Sequence, residues 1–483
     1  MAPSAIPTPA PPPSASPSPD AELLQLLQQL EAPLKNLPQL AHDFEATFHD
    51  LALTSTTQFL PTPVRVLPSG DETGQFLALD LGGTNLRVGV VELLGRRSLD
   101  TGDGERLRIP TQGSWSIPEH LKSSTAEDLF HWVSERIRNV LREQPTTTAD
   151  VMELGITFSF PMEQTSHTSA LLMPMGKGFT FTNTNDLAAL LSTAYTATSA
   201  AGEPALRIVS ITNDSVATLL SAAYAHATPC SKTAAGIIAG TGTNATCMCP
   251  VSKLHASKQP PGDSGDGGML LNTEWSIRGT APPLAPYVTA WDRRLDAGNE
   301  KPGFQPLEEM VGGRYLGELV RLVGLDVFPR DALPAAMHRA YGVDTKLCGD
   351  VEAAATDAEA LALLADYFSA DGGWGLGLGA AATFRRVCGA VSTRAAALVA
   401  AATVGVLGMN DELGDGVNIV VGYTGTILER YPGFKERCEG FMREIVRKRR
   451  GGEDGATVTL VEARDGGILG AAVLAAMVKG GST

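Results

Sequence analysis

LALDLGGTNLRVGVVEL, from Leu77 to Leu93, sets the frame for the whole chain. An apolar run, Phe76 to Leu79, reaches an acid, Asp80, and then two adjacent glycines, Gly82 and Gly83. That order predicts strand, tight turn, strand. Glycine permits backbone angles other residues resist, so the turn can bring amide N–H groups and the Thr84 hydroxyl onto an anionic ligand. A carboxylate beside such a turn, Asp80, is placed to hold a metal ion that accompanies phosphate, directly or through water. The pattern points to a nucleotide site, although an ordinary hairpin with a Gly-Gly turn fits the same letters.

Composition sets the outer limits. The chain has 483 residues, 43% hydrophobic and 6% aromatic, which predicts a soluble protein with a large core and two domains. With 53 acidic against 38 basic residues the net charge is −15. No excess of positive charge is available to displace phosphate counterions, so general nucleic-acid binding is excluded while a local phosphate site is not. The six cysteines, Cys230, Cys247, Cys249, Cys348, Cys388 and Cys438, lack paired zinc spacing, and Cys247 with Cys249 reads as two core thiols. A reducing, cytoplasmic setting is expected.

Residues 1–20 are almost entirely Pro, Ala and Ser. Such a segment cannot bury enough apolar surface to offset its ordering entropy, and a disordered tail is expected, open to a proline-binding partner. It lacks the pattern of a secretory signal or a mitochondrial presequence. Ala21 to Ala52 has helical periodicity, and a proline-punctuated connection, FLPTPVRVLPSGDETG, leads to the hairpin. Beyond it, Ala126 to Glu143 predicts an amphipathic helix and Leu154 to Phe160 a buried strand ending at Pro161. Lys177 lies between Gly176 and Gly178, where a loop can close on a ligand and the ammonium can meet a sugar oxygen or a phosphate; most lysines are merely solvated.

The strand Arg207 to Thr212 ends in Asn213-Asp214-Ser215 and enters a helical stretch. Open α/β sheets place ligands and catalytic groups at this point, and Asp and Ser are equally favoured there as helix caps. A second strand-glycine unit, AGIIAGTGTNATCMC from Ala235 to Cys249, is built like the first, with Gly240, Thr241, Gly242 and Thr243 between two apolar runs. It also matches G-x-G-x-x-A, but the following residues read as strand, and the dinucleotide fingerprint requires a helix amino terminus. Two such units suggest a duplicated fold that closes on a nucleotide from both sides.

These segments resemble the hexokinase family of sugar kinases, within the actin-like ATPase superfamily, from about Leu51 to Met477. LALDLGGTNLRV is similar to its first phosphate loop and IIAGTGTNA to its second. TFSFP, Lys177-Gly178-Phe179 and ITNDS are similar to its sugar-site segments, and NTEWS, PGFQPLEEMVGGRYLGELVRL and RRVCGAVSTRAAAL continue the match. WDRRLDAGNE and PGFQPLEEM look closest to a fungal branch of atypical hexokinase-like proteins.

The resemblance implies an α/β fold of two domains, each with a mixed five-stranded sheet, separated by a cleft. The N-terminal half would span 21–212, with a small domain at about 76–210. The C-terminal half would span 215–478 and form the large domain with about 20–75; its final helix, 469–478, would return to the small domain. It implies a hexose held by Ser159, Lys177, Asn213, Asp214, Asn244, Glu274 and Glu308, with Asp214 as general base toward the sugar 6-hydroxyl. A shell of Asn, carboxylates and Lys suits hydroxyls that both donate and accept. ATP would lie against Asp80, Gly82, Gly83, Thr84, Asn85, Arg87, Gly240, Thr241, Gly242, Thr243, Gly422, Thr424, Gly425, Gly466 and Gly467. Mg²⁺ would ride on the phosphates without direct protein ligation, water-bridged to Asp80 or Asp214.

The departures concentrate at the nucleotide end. Gly176 replaces a threonine, Thr424 replaces an acid in the adenosine loop, Trp275-Ser276 replaces Trp-Gly, and Asp465-Gly466-Gly467-Ile468-Leu469-Gly470 replaces Asp-Gly-Ser-Gly-Lys-Gly. Restoring Ser at 467 and Lys at 469 is therefore expected to raise ATP affinity. Two functions follow: an ATP-dependent hexokinase acting on glucose, with fructose and mannose as further candidates, or a non-catalytic sugar sensor that retains the pocket. A Rossmann oxidoreductase is disfavoured. The Ala-rich run Ala395 to Met409 is too short to span a bilayer and reads as a buried helix.

Overall fold

A computed structural model of the chain describes residues 19–96, 106–143, 150–160, 162–172, 186–226, 231–260, 265, 267–413, 418–449 and 457–483. In chain order the strands are β1 (Leu60–Pro61), β2 (Thr73–Leu81), β3 (Asn85–Leu94), β4 (Leu107–Ser116), β5 (Val151–Phe158), β6 (Met162–Ser166), β7 (Ser169–Leu172), β8 (Ala205–Thr212), β9 (Ser231–Ala239), β10 (Thr243–Pro250), β11 (Gly268–Asn272), β12 (Asn418–Thr424) and β13 (Val458–Glu462). They form a five-stranded sheet ordered β4-β3-β2-β5-β8, a six-stranded sheet ordered β1-β11-β10-β9-β12-β13, and the hairpin β6-β7.

Leaving β1 aside, the two sheets have the same plan. In each, an antiparallel three-strand meander gives way to two parallel strands on the other side of its first strand. In each, the last strand is followed by a helix: Asp214–His226 after β8 and Gly466–Gly480 after β13. The duplication expected from the two glycine turns is therefore present. The second sheet has one strand more than expected. β1 adds at its edge against β11, from a connection read as proline-punctuated loop. Pro61 is tolerated there because an edge strand does not need every N–H.

The run Phe76 to Leu79 is apolar throughout because β2 is central and covered on both faces. Side chains alternate across a strand, so Leu77 and Leu79 join Leu129, Val133 and Ile137 of the helix Ala126–Glu143, while Phe76 and Ala78 join the helix Gly466–Gly480. Burying a side chain of this kind contributes roughly 1.5 to 3 kcal/mol. The helical region after residue 20 is broken into Pro19–Leu30 and Leu37–Thr54 by a short 3-10 turn that contains Pro33.

The Ala-rich run is part of a longer helix than expected, Leu378–Met409, 32 residues. By length and composition this helix could cross a membrane, which corrects the reading of the run as too short. Its most apolar 18-residue window is 94% buried inside the protein, as expected of a core helix. Cys247, Cys249, Cys348, Cys388 and Cys438 are free, buried thiols. The expected tail, residues 1–18, and Cys230 lie outside the described residues.

The helices Asp214–His226 and Gly466–Gly480 are topological equivalents, and they pack on each other. A side chain at Gly470 would overlap the backbone of Ala217, so only glycine permits the approach. Val216, Leu219 and Leu220 of the first helix and Ile468, Val473 and Leu474 of the second share one apolar cluster with Phe76, Val91 and Leu270. Residues of both sheets meet in that cluster, and both helix amino termini lie next to it.

Candidate active site

β5 and β8 run parallel, with Thr157 opposite Thr212, so Ser159 and Asn213 lie just past the carboxyl ends of neighbouring strands. Ligands bind at this edge in open α/β sheets. Asn213 is buried, and its Oδ1 accepts from the Ser215 amide at 2.9 Å and the Ser215 hydroxyl at 2.8 Å. Ser215 shares a hydrogen bond of 2.6 Å with Thr246 of β10, which ties the end of one sheet to the other. Asp214 opens its helix, and its carbonyl accepts from Thr218 Oγ1 at 2.9 Å.

The residues expected from the second half form one connected set. Asn244 Nδ2 donates to Asn272 Oδ1 at 2.9 Å, and Asn272 Nδ2 donates to Glu274 Oε1 at 2.8 Å. Glu274 holds a left-handed backbone, φ 47°, and its carbonyl is pinned by Gln58 Nε2 at 3.0 Å. That conformation costs a non-glycine residue roughly 1 to 2 kcal/mol, and strain of this kind gathers at functional sites. Glu308 accepts from the Thr243 amide at 3.0 Å and from Gln305 Nε2 at 3.0 Å. Thr243 in turn accepts from the indole of the fully buried Trp275 at 3.0 Å.

The two glycine turns lie at the other end of this network. In the first, the Gly82 amide donates to Asn85 O at 3.0 Å and the Ser159 amide to Leu81 O at 3.0 Å. Asp80 is opposite Arg87 across the hairpin, their charged atoms 4.0 Å apart, and Arg87 also reaches Asp465 at 3.9 Å. In the second, the Gly240 amide donates to Gly242 O at 2.9 Å, while Gly240 O and Thr241 O accept from the Gly313 and Arg314 amides at the start of the helix Gly313–Val327. Gly240 packs against Gly425, and Thr424 shares a 3.2 Å hydrogen bond with Thr218. Gly422 sits on Ala222, and Gly466 lies against the Thr424 methyl group.

Asp214 is therefore joined to both sets: through Thr218 to Thr424, and through its neighbour Asn213, Ser215 and Thr246 to the strand that carries Asn244. Lys177 and Gly176 lie outside the described residues. Thr157, Ser215, Thr218, Thr246, Asn272, Gln305 and Trp275 support the expected residues and were not anticipated from sequence. Only Trp275, as the tryptophan of NTEWS, carried a signal.

The expectation for residues 467 and 469 is corrected. Leu469 is only 6% exposed and belongs to the apolar cluster between the two central helices, so its side chain does not face a nucleotide. A side chain at Gly467 would collide with the Asp80 carboxylate. Gly467 O accepts from Thr157 Oγ1 at 2.8 Å, which fixes the first turn of its helix to β5.

No group of three or more His, Cys, Asp or Glu side chains converges to hold a metal ion among the described residues. The two glycine turns and an isolated carboxylate, Asp80, fit a cation carried by a nucleotide's own phosphates, with Asp80 as an outer partner.

Comparison with known proteins gives the same assignment. Two sequence profiles, each described as hexokinase, match residues 22–224 and 234–477. The chain belongs to the hexokinase family. Hexokinase-1 of Schizosaccharomyces pombe is 29% identical over 465 residues, 94% of this chain and 90% of the relative. Glucokinase of Aspergillus niger is 30% identical over 462 residues, 87% of this chain and 89% of the relative. Among solved structures, the Schistosoma mansoni hexokinase complexed with glucose superposes with a TM-score of 0.75 at 29% identity, covering 94% of this chain and 99% of that one. The fold is the two-domain actin-like ATPase fold of hexokinases, and the duplicated sheets with their paired central helices are its two halves.

Proposed function

We propose that this hexokinase-family protein transfers the γ-phosphoryl group of ATP to the 6-hydroxyl of a hexose, with glucose as the first substrate to test. The observation that carries the reading is the position of Asp214, on the helix turn where the Asn213–Ser215–Thr246 and Thr218–Thr424 connections meet. Asp214 is the group to accept the proton of the attacking hydroxyl. Ser159, Asn213, Asn244, Glu274 and Glu308 hold the sugar, joined by Lys177.

Phosphoryl transfer asks the protein chiefly for positioning and charge neutralisation. The amides of Gly82, Gly83, Gly240 and Gly242, with Thr84, Asn85, Thr241 and Thr243, are the groups to receive the phosphates, and Arg87 adds a cation beside Asp80. Mg²⁺ arriving with ATP supplies the remaining positive charge. The residues fit a cytoplasmic enzyme of sugar metabolism.

A second reading is favoured by a specific observation. The helix turn at Gly467 offers no hydroxyl, and position 469 is buried apolar. A chain with a complete hexose pocket and a plainer nucleotide side would serve as a glucose-responsive regulator. A coupled assay of purified protein with glucose, Mg²⁺ and ATP separates the two. Saturable glucose phosphorylation with a high KM for ATP is expected, and negligible turnover alongside calorimetric glucose binding would establish the regulator instead.

A further inference from the structure

Glu309, next in sequence to Glu308, is 6% exposed, and neither phosphate binding nor proton transfer to Asp214 uses it. It lies on the short helix Pro306–Val311, which follows a loop from the helix Ala290–Ala297. That loop is tied at three points. The Gly303 amide donates to the Asp296 carboxylate, Asn299 Nδ2 donates to Glu309 Oε1 at 2.8 Å, and the Tyr341 hydroxyl donates to Asn299 Oδ1 at 2.6 Å. The loop ends at Gln305, whose side chain donates to Glu308 Oε1 at 3.0 Å and whose carbonyl accepts from the Glu309 amide at 3.0 Å.

Resting on the hexose reading above, we propose that Glu309 is a positioning residue for Glu308. A proton shared between the Glu309 and Asp296 carboxyl groups latches the 298–305 loop, so that Gln305 presents Glu308 to the sugar.

The charges around Glu309 favour the protonated form. Burial pushes its carboxyl up to about 7, and the neighbouring acids Asp296, from the preceding helix, and Glu308, from its own, push the same way against the Asn299 hydrogen bond. From the helix Gly313–Val327 come Tyr315 and Arg314, and from the following chain Tyr341. The Arg314 guanidinium sits 5.8 Å from the ring centres of both tyrosines. With the proton present, Glu309 donates to Asp296 and accepts from Asn299. Without it, two adjacent carboxylates repel across the loop, and a further negative charge stands beside Glu308.

The sign follows from linkage. A carboxyl whose folded pKa exceeds its ordinary 4.5 binds its proton more tightly in the native state, so its contribution to stability is full below pH about 4.5 and is lost as pH rises through about 7. Hexose affinity falls in the upper part of the same window.

Calorimetric titration of the full chain with glucose near pH ~6 and near pH ~8, repeated on Glu309→Gln, tests the proposal. The amide oxygen of Gln can keep the Asn299 hydrogen bond and its NH₂ can donate to Asp296, imitating the protonated acid. Wild-type affinity should fall by about tenfold between the two pH values, the equivalent of one pKa unit of coupling. Glu309→Gln should keep the low-pH affinity at both. A flat wild-type profile, or the wild-type fall retained in Glu309→Gln, overturns the proposal.

Thermal unfolding without sugar gives an independent readout. The melting temperature of the wild type should drop, relative to Glu309→Gln, as pH rises through 7, and parallel curves would rule out the shared proton. Absence of glucose binding at both pH values, with that relative drop intact, would refute Glu308 as a hexose ligand and the coupling with it, while identifying the hexose reading as the point of failure.

Discussion

Asp214 opens a helix immediately after a strand, and its chemistry depends on what that turn faces. Asn213, one residue earlier, spends its side-chain oxygen on Ser215 and so fixes the turn. Asp214→Asn keeps the shape and removes the base, so turnover should fall by at least ~10²-fold, while calorimetric glucose binding changes much less. Retained turnover would remove Asp214 from the mechanism. Glu308→Ala should weaken glucose binding by about 1.5 to 3 kcal/mol, the range for hydrogen bonds to a charged partner. It also strips the Thr243 amide of its acceptor, so the KM for ATP should rise too; Glu274→Ala, whose carboxylate bonds Asn272, should leave that constant nearly unchanged. Equal effects of the two variants on ATP would show that Glu308 does not steady the second glycine turn. Asp214 and the glycine turns were legible because their signals are local: an acid after a strand, paired glycines between apolar runs. Glu309 and Thr246 were not, because their partners come from elements far away in sequence.

At the scale of elements, the Leu378–Met409 helix shows why part of the fold resisted reading. The apolar run was legible from Ala395, and the residue before it, Arg394, read as the end of that run. In the protein Arg394 is fully buried, with both terminal nitrogens on Asp292 at 2.8 and 2.7 Å. A charge inside a helix reads as surface until its partner is known. The central helix pair raises the same point for glycine. Gly470→Ala forces Gly466–Gly480 away from Asp214–His226, and overpacking of this kind costs roughly 1 to 3 kcal/mol. Because Asp214 begins the partner helix, turnover should drop along with the midpoint of denaturant unfolding. An unchanged midpoint would mean the interface relaxes freely. Leu469→Lys, from sequence alone a way to recover ATP binding, should instead lower stability by about 3 kcal/mol, the scale of an uncompensated buried charge, without improving the KM for ATP.

At the scale of the molecule, the proposed hexose ligands are divided between the two halves of the duplication. Ser159 and Asn213 follow strands of the five-stranded sheet, whereas Asn244, Glu274 and Glu308 belong to the six-stranded half. A sugar that engages both sets binds the closed arrangement better than the open one, and only such differential affinity can shift a conformational equilibrium. Glucose should therefore reduce the radius of gyration in small-angle scattering, and ATP alone should do so less. The double variant Asn244→Ala/Glu274→Ala removes two contacts from one side only, so it should abolish the compaction even at glucose concentrations that still occupy the remaining ligands. Compaction that survives in this variant would place closure outside the control of the sugar. The same measurement bears on the choice between enzyme and regulator: both require glucose to close the protein, but only the enzyme requires the Asp214→Asn variant to lose a turnover that the wild type possesses. Full compaction with glucose, unaffected by Asp214→Asn, in a wild type with negligible turnover would identify a molecule that keeps the hexokinase closing motion as its output.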